Sequence, residues 1–148
     1  MYSFIIIGVV AILDQLIKMK VVEKISIYEK LEVIKDFFYI TYVENTGISF
    51  GLFKGTRVIL IILTFIVCLL LSYYVFKLHK KYVSIAVCLS FIIGGAIGNL
   101  IDRIRFGYVI DYLYFTFFPP VFNLADAAIV CGAIALSSIL LFSKNISL

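Results

Sequence analysis

Charge is scarce in this chain. Asp, Glu, Lys and Arg make up only 15% of its 148 residues, against roughly 25% in an ordinary soluble domain. Histidine occurs once, at His79, and proline only as the adjacent pair Pro119 and Pro120. Each shortage excludes something. One histidine, set in the basic run KLHKK (77–81), supplies neither a metal ligand set nor a base for a serine or cysteine nucleophile. Cys68, Cys88 and Cys131 fall in apolar windows without metal-like spacing. They read as small buried apolar residues rather than disulfide partners. The net charge of +4 is spread without a basic stripe, so no nucleic-acid partner is expected.

Apolar residues are what the chain has instead. They make up 64% of the sequence, and the mean hydropathy is +1.14. A soluble domain is about 45–50% apolar, and a chain of this length has too little interior to hide the excess. Lipid is therefore the expected solvent for much of the surface. Val58 to Phe76 runs 19 residues without a charge, and Tyr82 to Ile101 runs 20. About 20 apolar residues cross the hydrocarbon core as a helix. Leu124 to Phe142 is interrupted only by Asp126, and Tyr2 to Val22 by Asp14, Lys18 and Lys20. The reading is one integral membrane domain with spans at about 2–22, 58–76, 82–101 and 124–142. The first is the weakest by hydropathy. It lacks the basic start and small-residue cleavage site of a removable signal peptide, and Lys18 and Lys20 are placed to snorkel to an interface.

The connections differ in kind. KLHKK makes a tight turn, so the second and third spans form an antiparallel hairpin. Residues 23–56 and 102–123 form two long loops on the side opposite that turn. Phe37 to Val43 (FFYITYV) and the run YVIDYLYF (108–115) are aromatic and β-branched and predict short strands, while the proline pair rules out helix after the second. The expected fold class is thus all-α membrane: a four-transmembrane-helix bundle with a small β-rich loop region on one side. Counting Lys and Arg does not settle which side is cytoplasmic. KLHKK and Lys144 favour one face, and the basic residues of the first long loop favour the other.

Polar residues at the ends of the spans are the candidates for chemistry. Gly47-Ile48-Ser49-Phe50-Gly51 fits G-x-S-x-G, but with no histidine in reach it reads as a chance match. Gly94 and Gly98, with Gly95 beside them, are the spacing of close helix packing in lipid. Gly95, Asn99 and Asp102 share one face of the third span, with Arg103 near it; an interfacial Asp102–Arg103 ion pair competes with a functional role. Asp14 and Lys18 form an i, i+4 pair in the favourable order and read as structural. Asp111, inside an aromatic run, and Asp126, opening the fourth span, have no charged sequence neighbour. An ionisable group at the membrane is a functional candidate by default. If the second loop folds back, the two meet as a carboxylate dyad sharing one proton. The alternative is a polar cap, with Asn123 or Asp126 capping the fourth helix.

The chain resembles the bacterial lipoprotein signal peptidases, or signal peptidase II. The stretches that carry the resemblance run in order: DQLIK (14–18), VENTGISFGLF (43–53), GGAIGNLIDRIRFGYVIDYLYF (94–115) and VFNLADAAI (121–129). The resemblance implies a membrane aspartyl endopeptidase that cuts diacylglyceryl-modified prolipoproteins before the lipidated cysteine. It implies Asp111 and Asp126 as the catalytic pair. Asn45, Asn99, Arg103 and Asn123 are implied as the polar residues around them, and Asp14 and Asp102 as supporting acids. It further implies cytoplasmic termini in the bacterial inner membrane, a site near the outer face, contact with membrane lipid, and no metal or other cofactor. Nothing in the sequence hints at a stable oligomer, so a monomer is expected. Ile48 and Ser49 depart from the family's NxGAAF pattern. A small proton-coupled transporter using Asp14, and a structural subunit whose polar residues only lock helices together, are the competing classes. Long aromatic loops argue against the transporter.

Overall fold

A computed structural model describes residues 2–47 and 56–142. These residues form four helices and four strands in the order α1 (Tyr2–Lys24), β1 (Lys30–Ile34), β2 (Phe38–Asn45), α2 (Arg57–Leu78), α3 (Val83–Arg105), β3 (Val109–Phe115), β4 (Phe118–Phe122) and α4 (Leu124–Phe142). The NTGISF run from Ile48 onward, the G-x-S-x-G match and Lys144 lie outside the described residues.

Three of the helices, α2, α3 and α4, are long and apolar enough to cross a membrane. The helix α1 has the length, at 23 residues, but carries Asp14, Lys18, Lys20, Glu23 and Lys24. The centre of the bundle is α3, which packs against α1, α2 and α4. Glycine makes this possible. A Cβ at Gly94 would sit 2.8 Å from that of Val10 on α1, and one at Gly95 would collide with the Ala125 carbonyl of α4. The small residues thus face two partners, one through Gly94 and one through Gly95, as lipid-phase packing requires. Outward, α1, α2 and α4 present large exposed apolar side chains such as Ile12, Leu63 and Ile134.

The strands form one antiparallel sheet in the order β1-β2-β3-β4. The two aromatic runs become its central pair, with Val43 opposite Asp111. The edge strands were not foreseen. All of β1 is exposed, so it has no alternation of burial to betray it. Pro119 and Pro120 sit in β4, which pairs with β3 only through Phe118 and Phe122; an edge strand accepts prolines that need no ladder donor. Val21 and Ile25 of the α1 end pack with Tyr42, Ile110 and Tyr112, seating the sheet on the bundle. Gly107, at φ +90°, turns the chain from α3 into β3, a conformation glycine adopts without cost. The sheet thus lies at the end where α1 and α3 finish and α2 and α4 begin.

Two expectations need correction. Lys18 does not snorkel: it is 1% exposed and turned into the bundle, because two carboxylates wait there. Cys131 is exposed on the outer face of α4 rather than buried.

Candidate active site

Asp111 and Asp126 come from separate elements, a strand and a helix. Asp111 lies mid-strand in β3, where Val109 to Tyr112 are all buried. Asp126 lies in the first turn of α4. Asn123 precedes that helix and caps it. Its Oδ1 accepts the Asp126 N–H at 2.9 Å, and its own N–H donates to Asp126 Oδ2 at 3.3 Å. This reciprocal pairing is a capping box, satisfying donors that a helix start leaves open. The polar-cap reading of these residues therefore describes a real contact, but it occupies only one oxygen of Asp126.

The remaining contacts tie the aspartates together. Asn123 Nδ2 donates to Asp111 Oδ1 at 2.7 Å, so one asparagine touches both acids. Asn45, at the end of β2, donates to Asp111 Oδ2 at 2.9 Å. Asn99, on α3, donates to Asp126 Oδ1 at 2.7 Å. Asn45, Asn99, Arg103, Asp111 and Asp126 line one cleft of about 220 Å³, walled by apolar residues that include Val109 and Ile129. Asn123 is fully buried behind it. Burial, and then the charge of Asp126, pushes the Asp111 carboxyl up to about 7, against the opposite pull of the Asn45 and Asn123 amides.

The foreseen supporting acids lie one layer deeper. Asp14 and Asp102 are both 0% exposed, and each binds Lys18 Nζ at 2.8 Å. The structural reading of the Asp14–Lys18 pair agrees with this. The Asp102–Arg103 ion pair does not form. Asp102 turns to Lys18 and to the Ile110 N–H, while Arg103 Nη2 donates to the Gly47 carbonyl at 2.9 Å. Adjacent residues on a helix point about 100° apart, so they cannot easily share a face.

Sequence reasoning missed three participants. Lys18 donates to Asn99 Oδ1 at 3.0 Å. Gln15 Nε2 donates to Asp102 Oδ1 at 2.7 Å. Tyr112 receives the Leu124 N–H at 3.2 Å on its hydroxyl, at the start of α4. For the first two a signal existed: Asp14, Gln15 and Lys18 are the polar residues of a stretch, Phe4 to Met19, that is otherwise apolar. For Tyr112 there was none.

Comparison with known proteins gives consistent matches along the chain. The family described as signal peptidase (SPase) II matches residues 6–142. The lipoprotein signal peptidase of Halothermothrix orenii is 46% identical over 130 residues, covering 88% of each chain. That of Caldanaerobacter subterraneus subsp. tengcongensis is 42% identical over 144 residues, covering 97% of this chain and 99% of the relative. A solved bacterial membrane enzyme superposes with a TM-score of 0.90 at 30% identity, over 99% of this chain and 94% of its own. With the match spanning all four helices and the sheet between them, the chain belongs to the signal peptidase II family.

Proposed function

We propose that this protein is a membrane aspartyl endopeptidase. It removes the signal peptide from diacylglyceryl-modified prolipoproteins by cleaving before the lipidated cysteine. The observation that carries the reading is the pair Asp111 and Asp126, held on one cleft by Asn45, Asn99 and Asn123. Two carboxylates in one site resist double ionisation and share a proton. We assign that proton at rest to Asp111, whose carboxyl burial pushes up to about 7. Asp126 takes a proton from a water lying between the two, and the water attacks the scissile carbonyl. Asp111 donates toward the carbonyl oxygen, and the pair then passes a proton to the leaving amine. Arg103 and the asparagine amides orient the substrate backbone and stabilise developing charge. These steps use no metal or cofactor.

The bilayer placement is part of the same proposal. We read α1 as a fourth span because its buried residues include Asp14 and Lys18, while Ile5, Val9, Ile12 and Leu16 face outward. Ionisable groups turned into a bundle are compatible with a span. The sheet and the cleft then share one face, read as the outer one, and the termini and the KLHKK turn share the cytoplasmic one. The diacylglyceryl chains lie in lipid beside the spans, so burial of apolar surface supplies much of the binding, to a monomeric enzyme.

The test is a product analysis. Purified protein is incubated with a diacylglyceryl-modified prolipoprotein, and with its unmodified form, and the fragments are weighed by mass spectrometry. The reading expects a product whose N-terminus is the lipidated cysteine, from the modified substrate alone. No cleavage would favour a transport or structural role, and cleavage elsewhere would refute the assigned bond.

A further inference from the structure

The polar layer behind the cleft is wired to both aspartates in the same way. Asp102 Oδ2 accepts the Ile110 N–H at 3.1 Å, and Ile110 immediately precedes Asp111. Asp14 Oδ1 accepts the Ala125 N–H at 3.0 Å, and Ala125 immediately precedes Asp126. Lys18 Nζ binds the Oδ2 atoms of Asp14 and Asp102 at 2.8 Å each. Its third partner is Asn99 Oδ1, at 3.0 Å.

We infer that Lys18 is a positioning residue that yokes the two aspartates across elements, through the peptide N–H before each one and through the Asn99 amide. The inference rests on reading Asp111 and Asp126 as the catalytic pair. An ammonium has three N–H donors and no acceptor, so these partners use all of them. Lys18 is 1% exposed and does not line the cleft; it acts through its partners rather than on substrate. The Asn99 link has a direction. With Oδ1 engaged by Lys18 and by Asn123 Nδ2 at 3.1 Å, the Asn99 NH2 group is the part left to face Asp126. Gln15 closes the assembly by holding the second Asp102 oxygen.

The geometry answers a problem the fold creates. Asp111 sits on a strand and Asp126 on a helix, and the β4 hairpin between them pairs loosely because of its two prolines. No single element fixes their separation. One ammonium on α1 does so by holding the two carboxylates that accept the Ile110 and Ala125 N–H groups. Stability alone does not call for such a device. Buried ions lose several kcal/mol each in desolvation, and apolar replacements of similar volume are often as stable.

The bland competitor is that Lys18 merely offsets the charge of the buried acids Asp14 and Asp102. Two variants separate the readings: Lys18→Met, and the charge-free triple Asp14→Asn, Lys18→Met, Asp102→Asn. The asparagine oxygens of the triple still accept the Ile110 and Ala125 N–H groups but are no longer joined. Cleavage of a diacylglyceryl-modified prolipoprotein is measured per folded enzyme, with folding scored by thermal melting in detergent. Because small misplacements of reacting groups cost about 100-fold, kcat is expected to fall about 100-fold in both variants, with KM within about threefold. Wild-type kcat in the folded fraction of either variant overturns the yoke, as does failure of both to fold, which would leave Lys18 a stability role only. Asp111→Asn and Asp126→Asn are measured in parallel. Activity in either defeats the dyad reading, whereas two inactive dyad variants beside a fully active triple defeat the yoke alone.

Discussion

Asp111→Asn should make the protein more resistant to alkali while abolishing its activity. The Asp111 carboxyl, 2% exposed, is pushed from 3.8 to about 7. Between those values the folded state holds a proton that the unfolded chain has released. Stability therefore falls as pH rises through that window. Integrating the two titrations, wild type loses about 2–3 kcal/mol between pH 5 and pH 8 through this one group. Asparagine does not titrate, so the variant is spared that loss. It carries a constant cost of about 1–3 kcal/mol, because its NH2 group must face the NH2 of either Asn45 or Asn123. That cost is independent of pH and cancels from the slope. For a chain of this size about 2–4 °C of melting temperature corresponds to 1 kcal/mol. The melting curves of the two proteins should therefore converge or cross by roughly 5–10 °C from pH 5 to pH 8. Thermal unfolding in detergent, followed by circular dichroism across that range, is the assay. Parallel pH dependences would refute a proton held on Asp111.

The remaining expectations are narrower. The rate of cleavage should decline as pH rises past about 7, since Asp111 must keep its proton to serve as the acid; a rate still rising at pH 9 would reverse the assigned roles. Gly95→Ala should destabilise by about 1–3 kcal/mol because its Cβ meets the Ala125 carbonyl, whereas Gly8→Ala, with nothing within 4 Å, should be close to neutral; melting temperatures check both. Tyr112→Phe removes the acceptor of the Leu124 N–H and should cost about 1 kcal/mol, measurable by the same melt.

How far the sequence could be read depends on the physics at each place. Charge-free runs made α2 and α3 legible, because nothing but lipid or a large core tolerates 19 or 20 such residues in a row. The central strands were legible because FFYITYV and YVIDYLYF carry strand-forming side chains. The edge strands were not, since β1 is exposed throughout and β4 contains two prolines. At the site, the resemblance singled out Asn45, Asn99, Asn123 and Arg103, but spacing could not say which asparagine meets which acid. That depends on side-chain contacts such as Asn99 to Asp126, 27 positions apart, and Asn45 to Asp111, 66 apart. Lys18 misled for a physical reason. A lysine near a span end snorkels by default, unless buried carboxylates from another helix supply its partners, and Asp102 lies 84 positions on.

The central claim is that Asp111 and Asp126 together perform the cleavage. Its most direct test is single-turnover cleavage of a diacylglyceryl-modified prolipoprotein by purified wild type, Asp111→Asn and Asp126→Asn, each confirmed folded by its melting curve. Loss of an essential acid or base removes about 10²–10⁴-fold in rate, so both variants should fall by at least that lower bound with substrate still bound. A folded variant of either position that cleaves at the wild-type rate would contradict the account.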